Sequence, residues 1–294
     1  MDFGFLKEDI CYETEDFRIA PLPDIWERVE SLSSTGLISE GWFYPPIEEP
    51  RGGHEDPVEF PKVPWRAFNL LPSHQVNLKR DCKNTKREEF IVNILGFIKG
   101  VKLIPSDWCH FYRVQIEPNR SIGFHCTEDE IVEVISKADK FFITQKPETV
   151  KIFFGAVHWF LFSESYYHDF ERFDCHYKVL DACYKLCRDT LEMKKCTHPE
   201  RPVEMAKYFD MPVPSWAKLE GAKSKLSILR NQFYHEALFA GEPIGFNMPD
   251  PCLVFQLKNF NAKLLLSIIG IKAEYIKYPV DQEFCLHSLG MTKS

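Results

Sequence analysis

Arg230, Asn231 and His235 stand close together in the run RNQFYH, and their types suit the chemistry of a phosphodiester. Cutting RNA through its own 2′-hydroxyl needs a base for that proton, a cation for the crowded phosphorane and an acid for the leaving oxygen. Histidine changes charge near neutral pH and can fill either proton-transfer role. Arginine offers an always-charged planar fork that fits phosphate oxygens. Asn231 can hold the histidine ring, orient the arginine or contact phosphate. Tyr234, four residues after Arg230, can stack on a base or donate to phosphate. The plain alternative is a surface helix. A lone histidine on a helix is more often exposed or capping than catalytic, and an arginine four residues before a tyrosine is a common surface pair.

The helix that must position these groups spans residues 224–241, SKLSILRNQFYHEALFAG. Leu226, Leu229, Phe233 and Ala240 recur at helical spacing, and Gly241 and Pro243 are its stop signals. At ~100° per residue, five positions separate Arg230 and His235 by about 140°. The two do not share a face of an ideal helix. They meet in one cleft if the arginine bends along the helix, if the helix distorts, or if a second subunit closes the site.

Three further long helices and one short one are expected beyond Pro147. Residues 148–167 are apolar and aromatic-rich, the composition of a largely buried helix. Residues 170–191 repeat Phe170, Phe173, Tyr177, Leu180, Tyr184, Cys187 and Leu191 at intervals of three and four, a packing seam. Their polar face carries Glu171, Asp174, Lys178, Asp181, Lys185 and Arg188. A short helix is expected at 203–209, and 252–275 reads as one long amphipathic helix. No strand is expected after Pro147. Two long helices, an interruption, the motif helix and a closing helix make an up-and-down four-helix arrangement.

This half of the chain resembles the HEPN (higher-eukaryote and prokaryote nucleotide-binding) domains, many of which are ribonucleases. The resemblance rests on Arg230, Asn231 and His235 in the third core helix, and on AVHWFLFSESYYHDFERFDCHYKVLDACYKL, which looks like the opening helices of HEPN domains from phage-defence proteins. It covers roughly residues 146–275. In such domains the second helix often carries a glutamate after two apolar residues. Asp181 matches it here, preceded by Val179 and Leu180, and its side chain is one methylene shorter. The resemblance implies a metal-independent endoribonuclease without cofactor, plausible as a toxin or phage-defence effector. It places Arg230, Asn231, His235 and Asp181 at the catalytic site, and Tyr234 with Arg230 on the RNA. It also implies a homodimer through the helical domain, with two motifs lining one cleft, and a possible antitoxin or regulatory partner. Rival readings are a non-catalytic HEPN module that binds nucleotide or protein, and a helical scaffold with a fortuitous motif.

The leading half reads differently. A strand and a short helix near 24–31 are expected in DFRIAPLPDIWERVESLSS, and a helix at 86–99 ending near Gly100. Residues 101–104 and 110–116 alternate and are β-rich, which suggests two strands paired through the PSDW turn. TEDE at 127–130 is a capping box opening a helix to about 143. Prolines crowd 44–64 and make loop or edge structure. The expected class is therefore α+β: a mixed α/β regulatory or sensor region, 1–145, followed by an all-α HEPN-like bundle, 146–294.

Charge is uneven along the chain. Residues 1–60 hold 4 Lys and Arg against 15 Asp and Glu, while the net charge of the whole is −7. That balance argues against non-specific attraction to a polyanion, so any nucleic-acid contact is local. The leading acid excess is a solvated surface or, in the sharper reading, a phosphate mimic that shields the site. No run approaches the ~18 apolar residues of a membrane helix, and MDFGFLKEDI has no basic leader. Ten cysteines without a secretory signal suggest reduced thiols and a cytoplasmic location. Cys175, Cys183, Cys187, Cys196 and His198 invite a zinc site, but they lack a close Cys-x2-Cys knuckle and read as packing residues. Cys109, His110, His125 and Cys126 get the same reading. Trp108 and Trp159 are expected in the core, and Arg113 and Arg120 are weaker ligand candidates.

Overall fold

The computed structural model describes residues 1–45, 67–80, 84–118, 123–236, 250–281 and 286–291. Among the described residues the protein is mixed α/β, about 53% helix with small sheets, and the chain divides into two compact units, 1–121 and 122–294. The proline-dense stretch lies almost wholly outside the described residues, as do Ala240, Gly241, Pro243 and Arg120.

The first unit holds β1 (Asp2–Gly4), β2 (Tyr12–Glu13), β3 (Phe17–Pro21), α1 (Ile25–Ser34), β4 (Ile38–Ser39), β5 (Trp42–Phe43), β6 (His74–Leu78), α2 (Thr85–Lys99), β7 (Ile104–Pro105) and β8 (Val114–Gln115). β2, β3, β6, β1 and β7 form one antiparallel sheet in that order. Phe17 and Ile19 point inward and Arg18 outward, facing Leu78, Val76 and Asn77 across the ladder. This alternation is what a one-sided sheet demands. α2 buries Phe90, Ile91, Ile94, Leu95, Phe97 and Ile98. It ends at Gly100, whose φ of 66° is the left-handed turn glycine makes without strain. The second small sheet runs β4, β5, β8.

The strands expected at 101–104 and 110–116 are not partners. Ile104 pairs with Gly4 of β1, whereas Val114 pairs with Phe43 of β5. Local alternation marks a strand, but its partner is chosen by burial. Phe43, Val114 and Ile116 join a cluster with Phe5, Leu32, Phe68 and Leu70. Trp108, expected in the core, is 44% exposed.

The second unit holds β9 (Phe124–His125), α3 (Glu128–Thr144), α4 (Pro147–Phe162), α5 (Asp169–Thr190), α6 (Arg201–Tyr208), α7 (Lys225–His235), α8 (Pro251–Ile268), α9 (Glu274–Lys277) and β10 (His287–Ser288). The capping box of α3 forms: Glu130 N–H donates to Thr127 Oγ1 at 3.3 Å and Thr127 N–H to Glu130 Oε2 at 2.8 Å. Sequence alone groups α3 with the leading region. It packs in the second unit, where Phe141 meets Phe153 of α4 with ring centroids 5.0 Å apart.

α4, α5 and α8 form the core. Phe153, Phe160, Phe173, Leu180, Cys187, Leu257, Phe260 and Leu264 are all essentially excluded from water. Of the seam expected along 170–191, Phe173, Tyr177, Leu180, Tyr184 and Cys187 are buried in α5, while Phe170 and Leu191 are half-buried and Leu191 falls just past the helix. A polar network threads the same core. Ser163 Oγ donates to the Phe160 carbonyl at 2.7 Å, which leaves its oxygen to accept from His176 Nε2 at 3.1 Å. Lys258 meets Glu164 at 2.7 Å, and Asn261 donates to the His176 carbonyl at 2.8 Å. Two expectations are corrected here. The long closing helix is broken: α8 stops at Ile268, Gly270 turns with φ 81°, and α9 starts at Glu274. A strand does follow Pro147, because β10 pairs in parallel with β9.

Candidate functional site

α7 is fixed at both ends. Ser224 Oγ accepts from Ser227 N–H at 3.2 Å, and Ser227 Oγ accepts from Ser224 N–H at 2.9 Å, which satisfies first-turn donors. Leu226 and Leu229 are buried, and Phe233 meets Phe173 of α5 edge-on at 5.3 Å. That apolar side commits the helix. Asn231, Tyr234 and His235 are left on the exposed side, and Arg230 half-buried between.

Arg230 and His235 touch. Arg230 Nη1 lies 2.6 Å from His235 Nε2 and 3.2 Å from Asn231 Oδ1. A guanidinium can only donate, so Nε2 accepts and the ring proton of a neutral His235 sits on Nδ1. Of the three routes by which a 140° offset can close, the arginine bending along the helix is the one observed. A second subunit is not needed to bring the pair together. The guanidinium carbon is 5.4 Å from the Tyr234 ring centroid and 5.9 Å from that of Tyr177, cation–π distances. Its buried Nε has no acceptor among the described residues.

Tyr234 has a partner inside the chain. Its hydroxyl donates to Asp174 Oδ1, while Asp174 Oδ2 takes Lys178 Nζ at 2.5 Å. Burial first, then the bond to Asp174, pushes the phenol up. Asp181 lies one step from the motif. It accepts from Arg201 Nη1 at 2.7 Å and stands 3.9 Å from His198 Nδ1. Tyr177 links the groups: its hydroxyl is 3.5 Å from His198 Nδ1, and its ring faces Arg230. Burial pushes the Tyr177 hydroxyl up to about 12. Burial lowers the His198 pKa, Arg201 and Arg230 lower it further, and Asp181 opposes them.

The structure thus gathers Arg230, Asn231, His235 and Tyr234, and sets Asp181 beside His198 rather than against the motif. His198 is the group sequence reasoning missed as a participant in this cluster. Its sequence neighbourhood points only to a zinc candidate with the cysteines. Its signal was THPE, a capping box that starts a short turn at His198–Glu200 directly before α6. Cys175, Cys183 and Cys187 are buried on α5, and burial pushes the thiols of Cys175 and Cys187 up to about 12. Among the described residues, no group of three or more His, Cys, Asp or Glu is placed to hold a metal ion. Arg113, in the first unit, lies 4.5 Å over the Trp42 ring. Among the described residues, no helix is long and apolar enough to cross a membrane.

Comparison with protein-family models, with curated proteins and with solved structures gives no match.

Proposed function

We propose that the second unit is a metal-independent endoribonuclease of the HEPN type, with α4, α5, α7 and α8 as its up-and-down bundle. The observation that carries this is the 2.6 Å contact of Arg230 with His235 at the exposed end of one helix. It joins the phosphate-binding type of side chain to the proton-transfer type without any distortion of the helix. RNA phosphate competes for the arginine's Nη donors. As Arg230 turns to phosphate, the Nε2 lone pair of His235 is released to take the 2′-hydroxyl proton. The 2′-oxygen then attacks phosphorus and the 5′-oxygen leaves, taking a proton from an acid. His198 is the second group of the right type in this cluster. The products are a 2′,3′-cyclic phosphate and a 5′-hydroxyl. Asp181, engaged by Arg201, orients His198 rather than transferring a proton.

The resemblance further implies a cytoplasmic toxin or phage-defence effector that works as a homodimer. Restraint would come from the acidic leading segment or from an antitoxin. The second reading, a non-catalytic nucleotide-binding module, is favoured by one fact: Arg230 and His235 occupy each other in the absence of ligand.

The test is cleavage of labelled single-stranded RNA in excess EDTA, with end-group analysis. Arg230→Ala and His235→Ala each lower the rate by about 10²–10³ if they stabilise the transition state as proposed. Full activity of His235→Ala, or activity lost in EDTA and restored by Mg²⁺, overturns this mechanism.

A further inference from the structure

Between α5 and the end of α7, beside Tyr234, lies a cavity of about 260 Å³. It is lined by Tyr166, Phe170, Phe173, Phe233 and Tyr234, together with Glu171 and Asp174. Its volume falls just below the ~300 Å³ at which pockets for drug-sized ligands begin. It suits one planar group rather than a whole nucleotide. Aromatic walls with a few polar groups at one side are how proteins hold the unstacked bases of single-stranded RNA.

The two carboxylates differ in availability. Both oxygens of Asp174 are engaged, Oδ1 by the Tyr234 hydroxyl and Oδ2 by Lys178. Glu171, one helical turn earlier on the same face of α5, makes no hydrogen bond or ion pair among the described residues. A free carboxylate can only accept, so it selects an edge that donates. Guanine places N1–H and the 2-amino group side by side, a match for two carboxylate oxygens. Uracil offers one N–H flanked by two carbonyls, which repel a carboxylate. Adenine and cytosine each offer an amino group beside a ring acceptor.

We propose that this cavity is a nucleobase subsite selective for guanine, read by Glu171. The proposal rests on the ribonuclease reading for its place beside the scissile phosphate. Tyr234 connects the two, since it lines the cavity and its ring lies 5.4 Å from the Arg230 guanidinium. A base in the cavity would therefore belong to a nucleotide whose phosphate reaches Arg230.

Binding and cleavage are measured separately on the full chain. Guanosine, adenosine, cytidine and uridine 3′-monophosphates are titrated calorimetrically into the wild type, Glu171→Gln, Phe170→Leu and His235→Ala. Guanosine monophosphate should bind about tenfold or more tighter than the uridine compound, the discrimination of one good bidentate pair. Glu171→Gln should bring that ratio near one with an unchanged melting temperature. Phe170→Leu should weaken all four compounds together, and His235→Ala should leave the preference in place. In parallel, RNA of mixed sequence is cut and the termini are sequenced. RNA cut with no base preference, and four nucleotides bound alike, overturns the subsite and leaves the ribonuclease reading standing. Guanosine monophosphate bound through Glu171 without any cleavage upholds the subsite and overturns the catalytic reading. A guanine preference that survives in Glu171→Gln also overturns the assignment.

Discussion

Breaking the ion pair between Glu164 and Lys258 should reveal how much of the helical core depends on it. The ions meet at 2.7 Å, with side-chain exposures of 17% and 8%. At an effective dielectric of about 20, their attraction is roughly 6 kcal/mol before the loss of hydration is subtracted. That loss is of similar size, so the intact pair is worth little compared with apolar side chains of the same volume. One ion alone is different. Glu164→Gln strands the lysine, the more buried partner, and should cost about 3 kcal/mol. Lys258→Met leaves a carboxylate that keeps some water and a Ser163 hydroxyl 3.4 Å away. It should cost less, about 1–2 kcal/mol. The double variant Glu164→Gln/Lys258→Met should return to within about 1 kcal/mol of wild type, giving a coupling energy of roughly 4 kcal/mol. The assay is equilibrium urea unfolding followed by far-ultraviolet circular dichroism, with the slope held in common. Simply additive single effects, or a double variant less stable than either single one, would refute this reasoning.

Acid should destabilise the first unit in a defined window. His74 and His110 are buried, and burial depresses their pKa values to about 4 and about 3. The unfolded chain takes up protons below about pH 6.5 while the folded chain does not, so stability falls from there towards those lower values and is flat above. At pH 5 the two should together have lost about 4 kcal/mol, at 1.36 kcal/mol per pH unit for each. Urea midpoints at pH 7 and pH 5 measure it, and equal midpoints would count against it. Gly270→Ala should cost about 1–2 kcal/mol, because φ is 81° although nothing crowds an added Cβ; a melting temperature equal to wild type would say the turn relaxes. Asp181→Asn should slow RNA cleavage less than His235→Ala, and His198→Ala should remove one limb of the pH–rate profile. An unchanged profile would release His198 from the mechanism. Light scattering at micromolar concentration tests the proposed dimer, and a strictly monomeric protein that cuts RNA would end that proposal.

The helices were legible wherever chemistry marks both their ends and their faces. α2 carries Gly100, α3 its capping box, and α5 a seam of seven apolar positions, and each lies within a residue or two of its expected place. The apolar run of α8 hid its end, because the residues after Gly270 are again apolar and bury Ile271, Tyr275 and Ile276 in a separate turn. The strands were harder, since most are two residues long and their partners are distant, as with Phe43 and Val114. At the site, residue types were readable and the contact was not. An ideal helix separates Arg230 from His235, but the arginine's long side chain closes the gap. Asp181 was expected at the motif, yet Arg201, twenty residues on, holds it.

The strand pairing of β9 with β10 has an engineering consequence. His287 N–H donates to the Gly123 carbonyl at 3.1 Å and Leu289 N–H to the His125 carbonyl at 2.8 Å. Met291 N–H reaches Glu130 at 2.9 Å, so the last described residues are stitched to the start of the second unit. Among the described residues, 123–130 and 287–291 therefore lie side by side. Joined by a short linker, they would span a small gap, and the cost of loop closure grows only slowly with length. A circular permutant joined there should keep its helices together, as domains with neighbouring ends tolerate such joining, and far-ultraviolet circular dichroism of the permutant checks it.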